Sequence, residues 1–570
     1  MDIKRYVLFL GALFAGMIIL YSRSYGEKIN GIAYLYVQSV SSSNFGVGNP
    51  YDPEPHMIRW LEIDEIYYLM IPNSANINHL KVHFAASDPV FSGAYELTSG
   101  TYTSIFANQN GKPLILTSGD HTYQVKVMQS SEIATLFIQT ESGHLEDIHA
   151  SRSHQETAHI LFIDDDGKTI IYNGVADRFS GRGNSTWRRP KKPYNIRLTE
   201  PTDLLGSGDA KHRHWAILAD YMDNSRLRNT ISHHLAQELG LEAAVRVRPI
   251  DVYINNEYMG LYLLTERVRI DTILPITDLE AATANVNGAP LSAFEHIGDQ
   301  DFLPNARKYF DIPNNPADIT GGYLLEWQLA ARFDNSLSGF GTSRGQAVML
   351  RAPVHATQAQ IEYISNFIQE MEDAIYSPTG YNGLGRHFTE YIDLESIVYM
   401  YVFQEFIKNL DAGTTSFFFY KESDLVDDGL LRAAPPWDFD LSLGNDWFPE
   451  RYGIDMTDPK SFFVNQGRIR HNPDRTPHIL AVLWEHECFR SLSAEVWHET
   501  FAPIVKGLLG INDVEMSILE SVREYEAVIR DSAKMEWVRW GVETPHAEAV
   551  DFVIYFIEGR INFLNEQWGD

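Results

Sequence analysis

One short stretch constrains this chain more than any other: Pro435-Pro436-Trp437-Asp438-Phe439-Asp440-Leu441-Ser442-Leu443-Gly444-Asn445-Asp446. Two carboxylates stand two residues apart among aromatic and apolar neighbours. In an extended segment Asp438 and Asp440 point to the same side, and burying two like charges there is unfavourable unless a cation or hydrogen-bond donors neutralise them. A hard divalent ion, held by one or two carboxylates and completed by phosphate oxygens and water, is one solution. A pair of turn or helix-cap aspartates at a domain edge is the other. The stretch by itself leaves both open.

The 570 residues, 44% hydrophobic and 12% aromatic, suffice for a large core and more than one domain. A formal net charge of −30 argues against a nucleic-acid backbone as the main ligand and toward a basic partner. The single cysteine, Cys488, rules out an intramolecular disulfide and a cysteine-based zinc site. In Trp484-Glu485-His486-Glu487-Cys488-Phe489 it is expected to pack as a small apolar residue. At the amino terminus Lys4 and Arg5 precede an apolar run over residues 6–21, then Ser22-Arg23-Ser24-Tyr25-Gly26. The run is shorter than the ~20 residues of a spanning helix and reads as a secretory signal. An uncleaved anchor, a membrane tether through residues 6–21, is the alternative. Both place the chain outside the cytoplasm, facing the periplasm or the cell exterior.

Residues 30–150 read as a small β-sandwich-like accessory domain of short strands, among them Ile66-Tyr67-Tyr68-Leu69-Met70-Ile71, Tyr123-Gln124-Val125-Lys126-Val127 and Ala134-Thr135-Leu136-Phe137-Ile138. Beyond the polar residues 151–157 the character changes. Asp164-Asp165-Asp166-Gly167 between two apolar runs signals a hairpin. Leu227, Ile231, Leu235 and Leu239 recur at helical spacing, with Ser225 or Asp223 as candidate caps. His233 and His234 fall within that helix, where surface or core roles outweigh metal binding. A second hairpin runs through Ile250-Asp251-Val252-Tyr253-Ile254 to Leu261-Tyr262-Leu263-Leu264-Thr265-Glu266. Further helices are expected over 361–375 and 394–408. The region from about 477 onward reads as helical, with Trp537, Trp540 and Trp568 as packing residues.

Between the hairpins lies Gly181-Arg182-Gly183-Asn184-Ser185-Thr186-Trp187-Arg188-Arg189-Pro190-Lys191-Lys192-Pro193-Tyr194-Asn195-Ile196-Arg197-Leu198, a glycine-bearing turn crowded with cations in an acidic chain. Its donors and charges suit a polyphosphate. An exposed basic hairpin is the alternative, and neither a Walker A loop nor a GxGxxG fingerprint fits. The order of parts is itself informative: a cationic turn, a hairpin ending in Glu266, Asp411 just before the strand Phe417-Phe418-Phe419-Tyr420-Lys421, then Asp438 and Asp440. Phosphoryl transfer needs such parts: cations for phosphates, a carboxylate for the acceptor hydroxyl, another for the metal. No Ser-His-Asp order, nucleophile elbow or zinc helix competes. A carboxylate-based glycoside hydrolase rests only on abundant acids and aromatics.

The chain resembles the CotH family, spore-coat-protein-H-type secreted protein kinases. Five ordered motifs carry the resemblance across 156–570: Arg182-Gly183-Asn184-Ser185-Thr186-Trp187 with Lys191-Lys192-Pro193-Tyr194-Asn195-Ile196-Arg197-Leu198; Leu227-Arg228-Asn229; Val252-Tyr253-Ile254-Asn255-Asn256-Glu257-Tyr258-Met259-Gly260-Leu261-Tyr262; Gly321-Gly322-Tyr323-Leu324-Leu325-Glu326; and Pro436-Trp437-Asp438-Phe439-Asp440. The resemblance implies an α+β fold, an atypical protein-kinase-like two-lobed domain following the β-domain. It implies ATP with Mg2+ or Mn2+ and a Ser/Thr acceptor on an extracytoplasmic protein. By matching positions, Asp411 is implied as the aspartate that orients the acceptor, and Asp438 as the metal aspartate with Asp440 beside it. Lys192 is implied as the phosphate-contacting lysine, with Lys191 and Arg197 as rivals; Arg182 approaches the phosphates and Glu266 stands near adenine. Where kinase catalytic loops carry a metal-binding asparagine five residues after the aspartate, this chain has Ser416, a shorter ligand. That substitution leaves a catalytically inactive surface-binding or coat-assembly protein as the alternative.

Overall fold

The computed structural model describes residues 31–38, 57–107, 112–206, 208, 211–270, 273–298, 302–451, 453–466, 478–511, 514–541 and 544–569. The apolar run at 6–21 lies outside them. Among the described residues no helix is long and apolar enough to cross a membrane.

The chain divides into two units, Met1–Gln129 with Asn256–Tyr258, and Ser130–Asn255 with Met259–Asp570. In the first, short strands alternate buried and open residues and form two sheets. One is four-stranded, with Ile32–Gln38 paired to Met57–Arg59 and to Leu80–Ala86. The other is six-stranded around His121–Gln129, which runs parallel to Ile66–Ile71. Leu35, Val37, Leu69, Val82, Leu116 and Val125 are buried. The division falls after residue 129 rather than at 150, because Ala134–Thr140 pairs with strands of the second unit.

The second unit begins with a closed barrel of seven strands: β1 (Ala134–Thr140), β2 (Gln155–Ile163), β3 (Ile170–Gly181), β4 (Tyr194–Thr202), β5 (His212–Leu218), β6 (Val247–Ile254) and β7 (Glu257–Glu266), in the order β1-β2-β3-β4-β5-β7-β6. β1 runs parallel to β6 and closes it. Strict alternation sends Phe179, Tyr194, Ile196, Leu198, Trp215 and Ile217 into the barrel core. The Asp164–Gly167 turn forms as expected, with Asp166 accepting the Lys168 and Thr169 N–H groups, both at 2.7 Å.

After β5 the chain enters α1 (Arg228–Glu238). Asp223 satisfies its first N–H, accepting from Arg228 at 2.9 Å. A seven-stranded sheet follows, in which β8 (Tyr323–Gln328) pairs antiparallel with β9 (Phe417–Lys421). Around it pack α2 (Gln358–Ile375), which carries a Thr357/Gln360 capping box, and α3 (Leu394–Ile407). The carboxyl-terminal α4 (Val522–Trp540) and α5 (His546–Trp568) share one large apolar core with α1 and α3. Two packing expectations fail. Cys488 is exposed and Trp537 is 50% exposed, because both fall on the solvent side of amphipathic helices. Trp568 is buried as expected.

Candidate functional site

The Asp438 stretch is a turn, not an extended strand. Asp438 has φ +70°, a backbone conformation that a residue other than glycine holds only when its surroundings impose it. The surroundings do so. Phe439 is fully buried against His233 and Phe403, and its N–H donates to Asn229 Oδ1 at 2.9 Å. Ser442 Oγ donates back to the Phe439 carbonyl at 2.7 Å, and Asn445 Nδ2 donates to the Asp440 carbonyl at 2.6 Å and the Met222 carbonyl at 2.8 Å. Arg228 Nε reaches the Ser442 carbonyl at 3.0 Å. The turn is thus laced onto α1 and the loop before it.

Asp440 is only 8% exposed. Burial pushes its carboxyl well above the usual range, and Asp438, Asp220, Asp411 and Asp223 push it the same way. Among the described residues no side-chain donor bonds the Asp440 carboxylate. Asp220 is raised to about 6, by burial and then by Asp223, with Asn229, Lys191 and Arg226 opposing. Asn229 Nδ2 donates to Asp220 Oδ1 at 2.7 Å, so one asparagine ties the Asp220 side chain to the backbone of the Asp438 turn. Asp223 behaves oppositely. Burial would raise it, but the Arg228 guanidinium, Ser225 Oγ at 2.6 Å and the Arg228 N–H hold it below the ordinary value.

Asp411 comes from the loop after α3. Its N–H donates to Asn409 Oδ1 at 3.2 Å and its carbonyl accepts from the Thr414 and Thr415 N–H groups at 3.1 and 3.2 Å. Leu443 N–H to Ile407 carbonyl (2.7 Å) and Leu410 N–H to Leu441 carbonyl (3.3 Å) join this loop to the Asp438 turn. Ser416, at φ +52°, stands half-buried just ahead of β9.

The cations sort differently from expectation. Arg182 closes the glycine turn: its N–H donates to the Pro193 carbonyl at 3.1 Å, its guanidinium lies 5.7 Å over the Trp437 ring, and burial lowers its pKa, with Asp438 and Asp220 opposing. Lys191 is fully buried, paired to Glu536 Oε1 at 2.7 Å and bonded to the Leu261 carbonyl. Burial lowers its ammonium to about 8. Glu536, on α4, also accepts the Leu261 N–H at 2.9 Å and meets Arg226 Nε at 3.2 Å. Gly260, at φ +122°, makes room for it, since a Cβ there would collide with the Glu536 carboxylate.

Lys192 is not brought to the carboxylates. Its ammonium caps the Thr186–Arg188 turn, donating to the Trp187 and Arg189 carbonyls at 2.8 and 3.2 Å. Arg197 points out of the barrel, between the inward Ile196 and Leu198, and pairs with Asp177 at 2.6 Å. Glu266 is buried but paired to Arg246 at 2.6 Å and His212 at 3.2 Å. The structure therefore gathers Asp411, Asp438, Asp440 and Arg182, with Lys191 one layer behind. Sequence reasoning missed Asp220, Asn229, Arg226 and Glu536. The Leu227-Arg228-Asn229 motif was the available signal for Asn229; nothing local marks Asp220, Arg226 or Glu536.

Two further features bear on ligand binding. Trp437 packs half-buried with Leu218, Val247, Leu263 and Ile273. On the outward side of β3 and β4, the cross-strand pair Ser180 and Asn195 leaves Ser180 Oγ and Asn195 Oδ1 buried without a hydrogen-bond partner. Among the described residues, no three His, Cys, Asp or Glu side chains gather closely enough to hold a metal ion unaided.

Residues 179–564 match the family model described as CotH kinase protein, and the chain belongs to that family. Among curated proteins none matches it.

Proposed function

We propose that this CotH-family chain is an extracytoplasmic protein kinase that transfers the γ-phosphoryl group of ATP to Ser or Thr of a secreted or surface protein. The observation that carries the reading is the setting of Asp440: a buried carboxylate crowded by four others, with no side-chain donor among the described residues, near Arg182 of the glycine turn, which faces Asp438 and Asp220. Such a donor set suits a hard divalent ion, Mg2+ or Mn2+, which takes carboxylate oxygens and fills its remaining positions from phosphate and water. When bound, metal-chelated ATP supplies the phosphoryl group.

The protein's own groups do the rest. Asp438 and Asp440 would hold the metal, and Arg182, beside Asp438 and Asp220, would neutralise charge on the phosphates. Asp411, fixed by Asn409 and the Thr414–Thr415 amides, orients the acceptor hydroxyl and takes its proton. Lys191 and Glu536 resemble the lysine–glutamate ion pair that kinases require, here with the glutamate on a carboxyl-terminal helix. The orphaned Ser180 and Asn195 atoms, with the apolar face around Trp437, offer a seat for the nucleoside between the barrel and the helices, read as the two lobes of a kinase. The net charge of −30 favours a Lys- or Arg-rich acceptor, and residues 4–26 favour export.

The test is transfer of radiolabelled phosphate from ATP with Mg2+ or Mn2+, with Asp438→Asn as control. Equal transfer by both proteins overturns the assignment. A second reading, a kinase-like binding protein without turnover, is favoured by Ser416 at the asparagine position. Nucleotide-dependent thermal stabilisation with no transfer to any protein would select it.

A further inference from the structure

Beyond the Asp438 turn the described residues 441–451 and 453–465 hold almost no regular structure, yet three fully buried charged side chains converge on the far end of this stretch. Lys408, at the left-handed carboxyl end of α3, spends all three ammonium protons there: on the Asp455 carbonyl (2.7 Å), the Asp458 carbonyl (2.7 Å) and Ser461 Oγ (2.8 Å). Glu405, one turn earlier, accepts the N–H groups of Phe463 (2.9 Å), Val464 (2.7 Å) and Asn465 (3.4 Å). Arg560 of α5 donates to the Pro459 carbonyl (3.0 Å), the Ser461 carbonyl (2.7 Å) and Glu405 Oε1 (3.0 Å). All three residues are 0% exposed.

We propose that Glu405, Lys408 and Arg560 are positioning residues of the reacting centre: they hold residues 455–465 in a single arrangement without phosphorylation of that segment. Burying three charges is an expensive way to add stability, since apolar packing does as well or better. What charges supply is direction, because each bond fixes a particular backbone group. The same few residues of α3 serve both ends of the site. Glu405 and Lys408 grip the segment; Ile407, Asn409 and Leu410 bond the Asp438 turn; Asp411 follows directly. A shift of the segment is therefore transmitted to Asp411 and to the turn together. In a modified loop, phosphate oxygens facing arginines would provide such anchors; here a carboxylate and two cations already occupy that role.

Two measurements on the full chain test this. Hydrogen exchange of Phe463 and Val464 amides should be as slow as that of α3, unchanged by phosphatase treatment and faster by at least about tenfold in Lys408→Met. Rapid exchange in the untreated protein, or exchange that phosphatase accelerates, overturns the proposal. In the transfer assay, Lys408→Met should lower kcat by about tenfold or more with nucleotide KM within about twofold, Lys408→Arg should recover most of it, and Thr457→Ala should match the parent. A parent-like kcat in Lys408→Met overturns it. The exchange readout does not depend on the kinase reading, so the two can fail separately.

Discussion

Two buried networks of charge lie within a few residues of each other along α3 and the loop that follows. They are opposites. At Glu405, Lys408 and Arg560 every charge has a counter-charge or a set of backbone partners. Around Asp440, acids outnumber the bases that face them, and one carboxylate is pushed far from its usual range. A satisfied network fixes geometry and has nothing left to offer a ligand. An unsatisfied one stores unfavourable energy that a cation releases on arrival. The contrast separates a network that holds the fold from one that, on the proposed function, does the chemistry.

That contrast can be broken in order of expected effect. Removing a charge from the crowded side should abolish chemistry while sparing the fold. Asp440→Asn should cut transfer by roughly 10²–10³-fold or more, while its melting temperature holds or rises because like-charge crowding is relieved. A drop in melting temperature would show that the carboxylate is structural. Removing a charge from a satisfied pair should do the reverse. Lys191→Met strands Glu536 in the interior, a loss of about 3 kcal/mol, moderated by Arg226, measured by chemical denaturation. The apolar pair Lys191→Met with Glu536→Leu should regain most of that stability without regaining transfer.

A third network lies between these extremes. Glu372 is buried on α2 near Arg344, 3.6 Å away, and burial raises its carboxyl from 4.5 to about 7. The folded protein then binds this proton more tightly than the unfolded chain. Stability from this group is greatest below pH 4.5 and declines as pH rises toward 7, by about 3 kcal/mol in all. Glu372→Gln should raise the melting temperature at pH 8 and flatten its fall between pH 5 and 8. The smallest effect belongs to Arg197→Ala. Its half-exposed pair with Asp177, outside the cluster, should change stability by less than about 1 kcal/mol and leave nucleotide KM within about twofold. A large rise in KM would restore Arg197 to the site.

Much of this was legible in the sequence. The turn residues located two hairpins of the barrel, at Asp164–Gly167 and between Ile254 and Glu257, but Ala134–Thr140 was read with the accessory domain and His212–Leu218 not as a strand; apolar spacing located α1, α2 and α3. That Asp438 and Asp440 share one turn was legible because they stand two residues apart; that Asp411 lies close enough to press on Asp440 was not written in its neighbours. What failed was discrimination between adjacent cations. Lys191 and Lys192 are identical in composition and context, yet one is buried against Glu536 and the other caps a turn. Only packing separates them. Arg197 was readable in hindsight, since Ile196 and Leu198 claim the inward positions and leave it outside. Glu536 was not, because its partner Lys191 lies 345 residues away. Asp220 carried no signal of its own, and its tie to the Asp438 turn depends on Asn229 reaching both ways.

The closure of the barrel has a consequence for how an acceptor is held. With β1 zipped to β6, none of the seven strands beside the glycine turn keeps an open edge. A visiting peptide cannot dock there as an added strand, borrowing main-chain bonds that ignore its sequence. Whatever is recognised on that side is recognised through side chains and loops, so selectivity rests on residue identity rather than on backbone shape.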